Sequence, residues 1–487
     1  MLKDDKVRQT AFEVLLRIEK DMAYSNLALD GTLSAARQNG RDSAFCSVLV
    51  YGVSERQITL DWLLSQHLQK PVKQLRPPVI TALRMGAYQL CFMDSVPDSA
   101  AVNTTVQLLK SNGCAYAAGL ANAVLRKLSR MRSEEAGYKQ KALEKILENE
   151  NLSIRYSVPD WLAELWVNAY GYDFAEALLA ASFGNGENYI RVNTTKTTRD
   201  SLIAALADEG VSALPSSALP NAAILPKGTV VHKTQAFADG LYHAQGLASQ
   251  YCVAALNPQP GDRILDMCAA PGGKAFTMAQ ELLSYSSHIV GASIARPSVK
   301  NHTTGEQCSL LHNMPYIAAL ELHPHRTELI RKGAVRLGLD NISVHTADAT
   351  KATTEEYGLF DIVLCDVPCS GLGTLSKKPD IRRKNKASLD NLAEIQYTVL
   401  MNASAFVHPG GTLVYSTCTL NPAENEDVCL RFLAENLNFK LDKAFLPHIP
   451  RHKVDYPFLS LFPHIHGCDG FFICKMQKTG SKRQEDG

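Results

Sequence analysis

Residues 263–274, Arg-Ile-Leu-Asp-Met-Cys-Ala-Ala-Pro-Gly-Gly-Lys, constrain this chain more than any other stretch. The apolar run 264–267 reads as a buried parallel strand, 269–273 as a tight turn of small residues, and 276–283 as a helix. Strand, turn and helix together make the ligand-binding corner of a doubly wound sheet. Gly272 and Gly273 lack a Cβ and let backbone approach a ligand closely. The free N–H groups at the helix start can meet a carboxylate or another polar group. The turn is neither a phosphate-cradling P-loop nor a GxGxxG dinucleotide fingerprint.

The rest of the chain arranges itself around that corner. At 487 residues it exceeds one ordinary core, so two or three domains are expected. Residues 1–130 have helical spacing throughout and read as an all-α bundle, with Pro77 and Pro78 opening one helix. Residues 131–236 read as a charged helical linker (131–152) and a small α+β region. That region holds a strand at 189–193, a helix at 201–206 and short strands at 223–225 and 229–231. From 237 to 478 strand and helix alternate, with strands at 263–267, 317–321, 342–345, 360–366, 411–416 and late at 470–474, the pattern of an α/β doubly wound domain. Residues 479–487 read as a polar, disordered tail.

One stretch, 285–315, is too long for a helix-to-strand loop and reads as an insertion. A rival register places the second strand at 289–292; 317–321 is preferred because it ends in an acid and leads into a long helix. His302, Cys308 and His312 lack the spacing of a common zinc site, so no metal is expected.

The chain has no run of about 18 apolar residues, and its first six residues are charged rather than a signal core, so no membrane segment is expected. Its twelve Cys have no paired spacing and read as reduced thiols of a cytoplasmic protein. A net charge of +1 does not announce nucleic acid, but a local basic patch suffices for it.

Several acids and thiols fall at the carboxyl ends of the expected strands, where an open α/β sheet binds ligands. Glu321 ends the second strand and can accept both hydroxyls of a ribose. Asp348 follows the third and can accept from an adenine amine. Asp366 caps the 360–366 strand, with Cys369 in the turn beyond it, and Cys418 lies just past another strand. Cys365 and Cys268 read as small hydrophobes. Two cysteines in separate polar turns at one sheet edge instead suggest a nucleophilic thiolate. A thiolate, an acid-lined nucleoside pocket and no metal suit one reaction well. Thiolate addition to C6 of a pyrimidine makes C5 enamine-like, able to take a methyl group; a base then removes the C5 proton and the thiol leaves. Acids also suit a cofactor with a cationic sulfur.

These residues resemble the Sun (Fmu) family of RNA cytosine-5 methyltransferases along nearly the whole chain. Residues 266–274 resemble its S-adenosylmethionine loop, and 366–370 and 416–418 its two cysteine motifs. Residues 76–78, 86–90, 100–103 and 122–126 resemble its NusB-like RNA-binding domain, and 191–194 and 240–245 its linking region. The resemblance implies a NusB-like bundle and a Rossmann-like methyltransferase domain. It implies a monomer that uses S-adenosylmethionine to methylate C5 of a specific cytosine, position 967, of 16S ribosomal RNA, as free RNA or in early small-subunit particles. By the same resemblance Cys418 attacks C6, Cys369 assists release at or near the base, Asp366 holds the cytosine edge and Lys274 faces the base. Cofactor contacts carry over to Cys268, Ala269, Ala270, Pro271, Gly272, Gly273, Lys274, Glu321, Asp348 and Asp366. Glu321 stands where Asp is commoner, Val367 replaces the usual Ala, and the 285–315 insertion falls near the cofactor edge.

RNA needs positive charge near this mouth. Lys377, Lys378, Arg382 and Arg383, just after the Cys369 turn, are the candidates. The target base must leave its stack to reach Cys418. Two alternatives stay open: the same chemistry on a tRNA, and an RNA-binding assembly factor without catalysis. A thiol redox enzyme is disfavoured because no CxxC occurs.

Overall fold

Helix Pro77–Phe92 carries twelve buried residues out of sixteen, and helices between Lys3 and Leu147 pack around it. The computed structural model describes residues 3–21, 40–133, 139–184, 186–289, 316–442, 446, 449 and 458–480. It divides into two compact units: Met1–Gly184 with Leu375–Ser388, and Asn185–Thr374 with Leu389–Gly487.

The first unit is helical among its described residues. Pro77 and Pro78 occupy the first turn of the central helix, where a missing N–H costs nothing. At the other end Lys139 is buried, and its Nζ donates to the carbonyls of Gln89, Met93 and Val96 at 3.3, 3.0 and 2.7 Å. A cation at a helix C-terminus satisfies orphan carbonyls and complements the helix dipole. Lys139 comes from the stretch expected to be a linker. Leu143 and Leu147, on the same helix (Lys139–Leu147), lie in the bundle core. The charged sequence hid a buried face. Helices Asp160–Tyr170 and Tyr172–Ala181 pack within this unit.

The second unit holds two sheets. The smaller is antiparallel, with β1 (Asn188–Val192), β2 (Leu214–Pro215), β3 (Ala222–Leu225) and β4 (Tyr242–Ala244) in the order β2-β3-β1-β4. A strand expected at 229–231 is replaced by a 3-10 turn, Val231–Lys233. The strand β4, beyond residue 236, completes this sheet by pairing Arg191 with His243, so the sheet runs across the expected boundary.

The larger sheet contains β5 (Arg263–Asp266), β6 (Tyr316–Glu321), β7 (Ile342–Thr346), β8 (Phe360–Asp366), β9 (Val407–Thr417), β10 (Phe439–Asp442), β11 (Leu459–Leu461) and β12 (Phe471–Lys478). Its order is β10-β12-β9-β8-β5-β6-β7, with β11 against β12. The strands β9, β8, β5, β6 and β7 are parallel, and β12 and β10 add antiparallel. Their apolar runs explain this: parallel strands are covered by helices on both faces, so both side-chain sets are buried. Two cores result, one per face. The order reverses between β5 and β8, which is the switch point where such sheets bind ligands. The preferred strand 317–321 is β6, and the rival residues 290–292 lie outside the described ones. The described part of 285–315 continues the helix Gly273–Ile289, and 290–315 lie outside the described residues. The tail from 481 does too.

Candidate active site

Parallel strands end at one edge, so residues far apart in sequence are delivered together. Asp266 ends β5, Glu321 ends β6, Asp366 ends β8, and Ser416 faces Asp366 in the β8–β9 register.

The turn after β5 is fastened to its neighbours. Ala269 N–H donates to Leu320 O at 2.8 Å, and Gly272 N–H to Ala269 O at 2.7 Å. Arg326 reaches from the next helix: Nη2 donates to Ala270 O at 3.0 Å and Nη1 to Glu321 Oε1 at 3.2 Å. Gly272 is the position that needs glycine, with φ +108°, and a Cβ there would fall 2.3 Å from the Phe276 ring. At Gly273 a Cβ would find ordinary space, 3.7 Å from Gln245. Asp266 is 1% exposed; its Oδ1 accepts from Cys268 N–H at 3.3 Å, while Oδ2 has no hydrogen-bond partner. Burial first, then the charge of Asp366, pushes its carboxyl up to about 7.

Beside it lies a polar triad. Lys274 Nζ sits 2.6 Å from Asp366 Oδ2, and Ser416 Oγ donates to Asp366 Oδ1 at 2.8 Å. Burial pulls Lys274 toward its neutral form, but Asp366 and the other negative charges around it outweigh that and hold it protonated. Lys274 also lies 5.0 Å over the Phe471 ring. Next to the triad, Cys369 Sγ and Cys418 Sγ are 3.2 Å apart, both half-buried. Hydrogen bonding to Cys418, then burial, then nearby negative charge push the Cys369 thiol well up.

Asp348 turns partly inward on its own loop. Its Oδ1 accepts from Thr350 Oγ1 at 2.7 Å and Thr350 N–H at 3.0 Å, which hold its carboxyl below the usual range. Cys365 is fully buried in β8, and burial pushes the Cys268 thiol up, as packing thiols behave. Sequence reasoning missed Asp266, Ser416 and Arg326 as members of the site, and also Glu424. Only Asp266 carried a local signal, its place at a strand end.

The basic residues part company. Lys377 and Lys378 are exposed. Arg383 is half-buried and donates to Ile18 O at 3.2 Å. Arg382 corrects the expectation of an RNA contact: it is 2% exposed. Its guanidinium donates to Tyr156 O at 2.7 Å, Ser182 O at 2.9 Å and Ser182 Oγ at 2.8 Å, and lies 4.4 Å over the Phe183 ring. Those carbonyls hold it inside the first unit. Among the described residues no three His, Cys, Asp or Glu side chains form a metal cluster; His302, Cys308 and His312 lie outside them.

A sheet of this order, with a glycine turn at its switch point and acids along its carboxyl edge, defines the α/β class of methyltransferases. The comparisons narrow the class. A model described as 16S rRNA methyltransferase RsmB/F matches residues 253–303 and 295–477, the NusB family matches 5–130, and an RsmF/B-like ferredoxin-like domain matches 158–232. The probable ribosomal RNA small subunit methyltransferase B of Bacillus subtilis is 34% identical over 98% of this chain and 100% of that protein. Its counterpart in Synechocystis is 35% identical over 97% and 99%. The chain belongs to the 16S rRNA methyltransferase RsmB/F family. The crystal structure of PH0851 shares the fold, with TM-score 0.74 at 22% identity over 98% of this chain and 99% of that one. A methyltransferase homolog from Pyrococcus horikoshii gives TM-score 0.53 at 25% identity over 67% and 97%.

Proposed function

We propose that this methyltransferase transfers a methyl group from S-adenosylmethionine to C5 of one cytosine of 16S ribosomal RNA, position 967, through a covalent bond between Cys418 and C6. The observation that carries the reading is the pair of thiols from two separate turns, 3.2 Å apart beside the Lys274–Asp366 pair. Both thiols are part-exposed at the carboxyl edge of the sheet, each in a turn just beyond a strand end.

The residues at the sheet edge fit the cofactor. Asp266 keeps a buried oxygen without a partner, and Glu321 and Asp366 add two more carboxylates, a setting matched to a ligand carrying an ammonium and a sulfonium. Backbone of Cys268, Ala269, Ala270, Pro271, Gly272, Gly273 and Lys274 would form its cradle, with Glu321 toward a ribose and Asp348 toward an adenine. When bound, the cofactor supplies an electrophilic methyl group. The chain does the rest. Cys418 thiolate adds to C6 and the C5–C6 double bond opens, giving a nucleophilic C5. Asp366 accepts from the exocyclic amine, and the Lys274 ammonium faces the base where negative charge develops. After methylation a base beside Cys369 removes the C5 proton. The double bond re-forms, the C6–S bond breaks and Cys418 leaves as thiolate.

Lys377 and Lys378, exposed, and Arg383, part-exposed, would meet phosphates. The enzyme acts as a cytoplasmic monomer on free 16S RNA or early small-subunit particles. Bisulfite sequencing of RNA from a strain lacking this chain tests the reading. Loss of one 16S methylcytosine is expected; loss only in a tRNA, or nowhere, overturns the substrate. Cys418→Ala should abolish methylation and Cys369→Ala should accumulate an RNA adduct; full activity in Cys418→Ala rejects the nucleophile.

A further inference from the structure

Nothing in the cysteine motifs themselves explains why two separate turns hold their sulfur atoms so close. The carboxylate of Glu424 does. It is 1% exposed and accepts four hydrogen bonds. Two come from the residue after Cys369: Ser370 N–H at 2.8 Å and Ser370 Oγ at 2.5 Å. One comes from Gln396 Nε2 at 2.9 Å, which also donates to Pro368 O at 2.9 Å. The fourth comes from Asn421 Nδ2 at 3.0 Å, three residues beyond Cys418. With its hydroxyl proton given to Glu424, Ser370 Oγ accepts from Thr419 Oγ1, 2.7 Å away and adjacent to Cys418. Gly373 N–H donates to Cys418 O at 3.0 Å, closing the same ring of contacts from the other side.

We propose that Glu424 is a positioning residue of the methyl-transfer reaction: its buried carboxylate clamps the Cys369 turn onto the Cys418 turn and so sets the spacing of the two thiols. The inference rests on the two-cysteine reading above. All four contacts are made by donors, so a carboxylate satisfies them and an amide cannot; a Gln side chain would turn an NH2 group toward at least one N–H. The negative charge of Glu424 also adds to the effects that push the Cys369 thiol up.

The test uses the full chain, S-adenosylmethionine and a 16S fragment carrying the target cytosine. In Glu424→Gln the misplaced Cys369 releases RNA slowly. The turnover number should fall about 100-fold, KM for RNA should stay within about threefold, and a denaturant-stable RNA adduct should accumulate that disappears in the Glu424→Gln, Cys418→Ala double variant. Simple destabilisation would lower adduct, not raise it. Turnover within about threefold of the parent, or loss without adduct, overturns the clamp. Should Glu424→Gln not fold, Ser370→Ala, which removes one clamp contact, takes its place: about tenfold slower turnover with adduct is expected, and parent-like release overturns the proposal. Cys369→Ala is run beside them. If it traps adduct and the clamp variants do not, the clamp alone falls; if it traps none, the two-cysteine reading falls and the clamp with it.

Discussion

Lys274 and Asp366, ninety-two positions apart, form an ion pair at 2.6 Å across the switch point of the sheet, with Lys274 buried and Asp366 part-exposed. Lys274 lies in the first turn of the helix after β5, and Asp366 ends β8. Removing Asp366 leaves the buried ammonium uncompensated, which costs about 3–5 kcal/mol.

Asp366→Asn should therefore lower stability by roughly 3 kcal/mol, Lys274→Met by less because Asp366 keeps contact with solvent, and the two together by less than the sum of the single changes. Urea denaturation of the four members of the cycle measures this. Additive losses would show that the pair is not coupled.

Gly272→Ala and Gly273→Ala should differ although the residues are adjacent. Alanine at 272 meets the Phe276 ring and a φ of +108°, which together cost about 1–3 kcal/mol and disturb the turn. Alanine at 273 finds room and stays within about 1 kcal/mol of the parent. Thermal melts without cofactor separate them: only Gly272→Ala should melt clearly below the parent.

Arg382→Lys should act on stability and Lys377→Ala on RNA. Lysine cannot reproduce the fork that satisfies Tyr156 O and Ser182 O, so unfolding of the first unit should become easier by about 2–4 kcal/mol. Lys377→Ala, like Lys378→Ala, should leave stability within about 0.5 kcal/mol and reduce the salt slope of RNA binding by about one. A salt-dependent binding series on all three variants reads both effects.

The carboxyl of Asp266 gives the protein a pH signature. Its folded-state value, about 7, lies above its ordinary value near 3.8. The folded state therefore holds a proton that the unfolded state has released, and stability falls as pH rises from about 4 through about 7. Asp266→Asn removes that slope, so the variant without cofactor should exceed the parent in stability by a few kcal/mol at pH 8 and differ little at pH 4. Denaturation at both pH values checks the sign.

Much of the sheet was legible because β5, β6 and β8 are short, largely apolar runs ending in Asp or Glu. Strands expected at 263–267, 317–321, 342–345 and 360–366 appear within a residue or so. The short strands β2, β10 and β11 were not, since two to four residues of mixed polarity carry no period of their own. Lys139 and Arg382 misled for one reason: a long cationic side chain looks solvated in sequence, and only packing shows that carbonyls await it.

By itself the sequence determined the parallel strands, the glycine turn, the two cysteine turns and the family they resemble, because these depend on local composition and spacing. Tertiary structure alone decided that the two thiols meet, that Lys274 pairs with Asp366, and that Glu424 gathers donors from three segments. Asn421 lies three positions from Glu424, but the other contacts join residues 28 to 92 positions apart, and only the order in which strands enter the sheet brings them together.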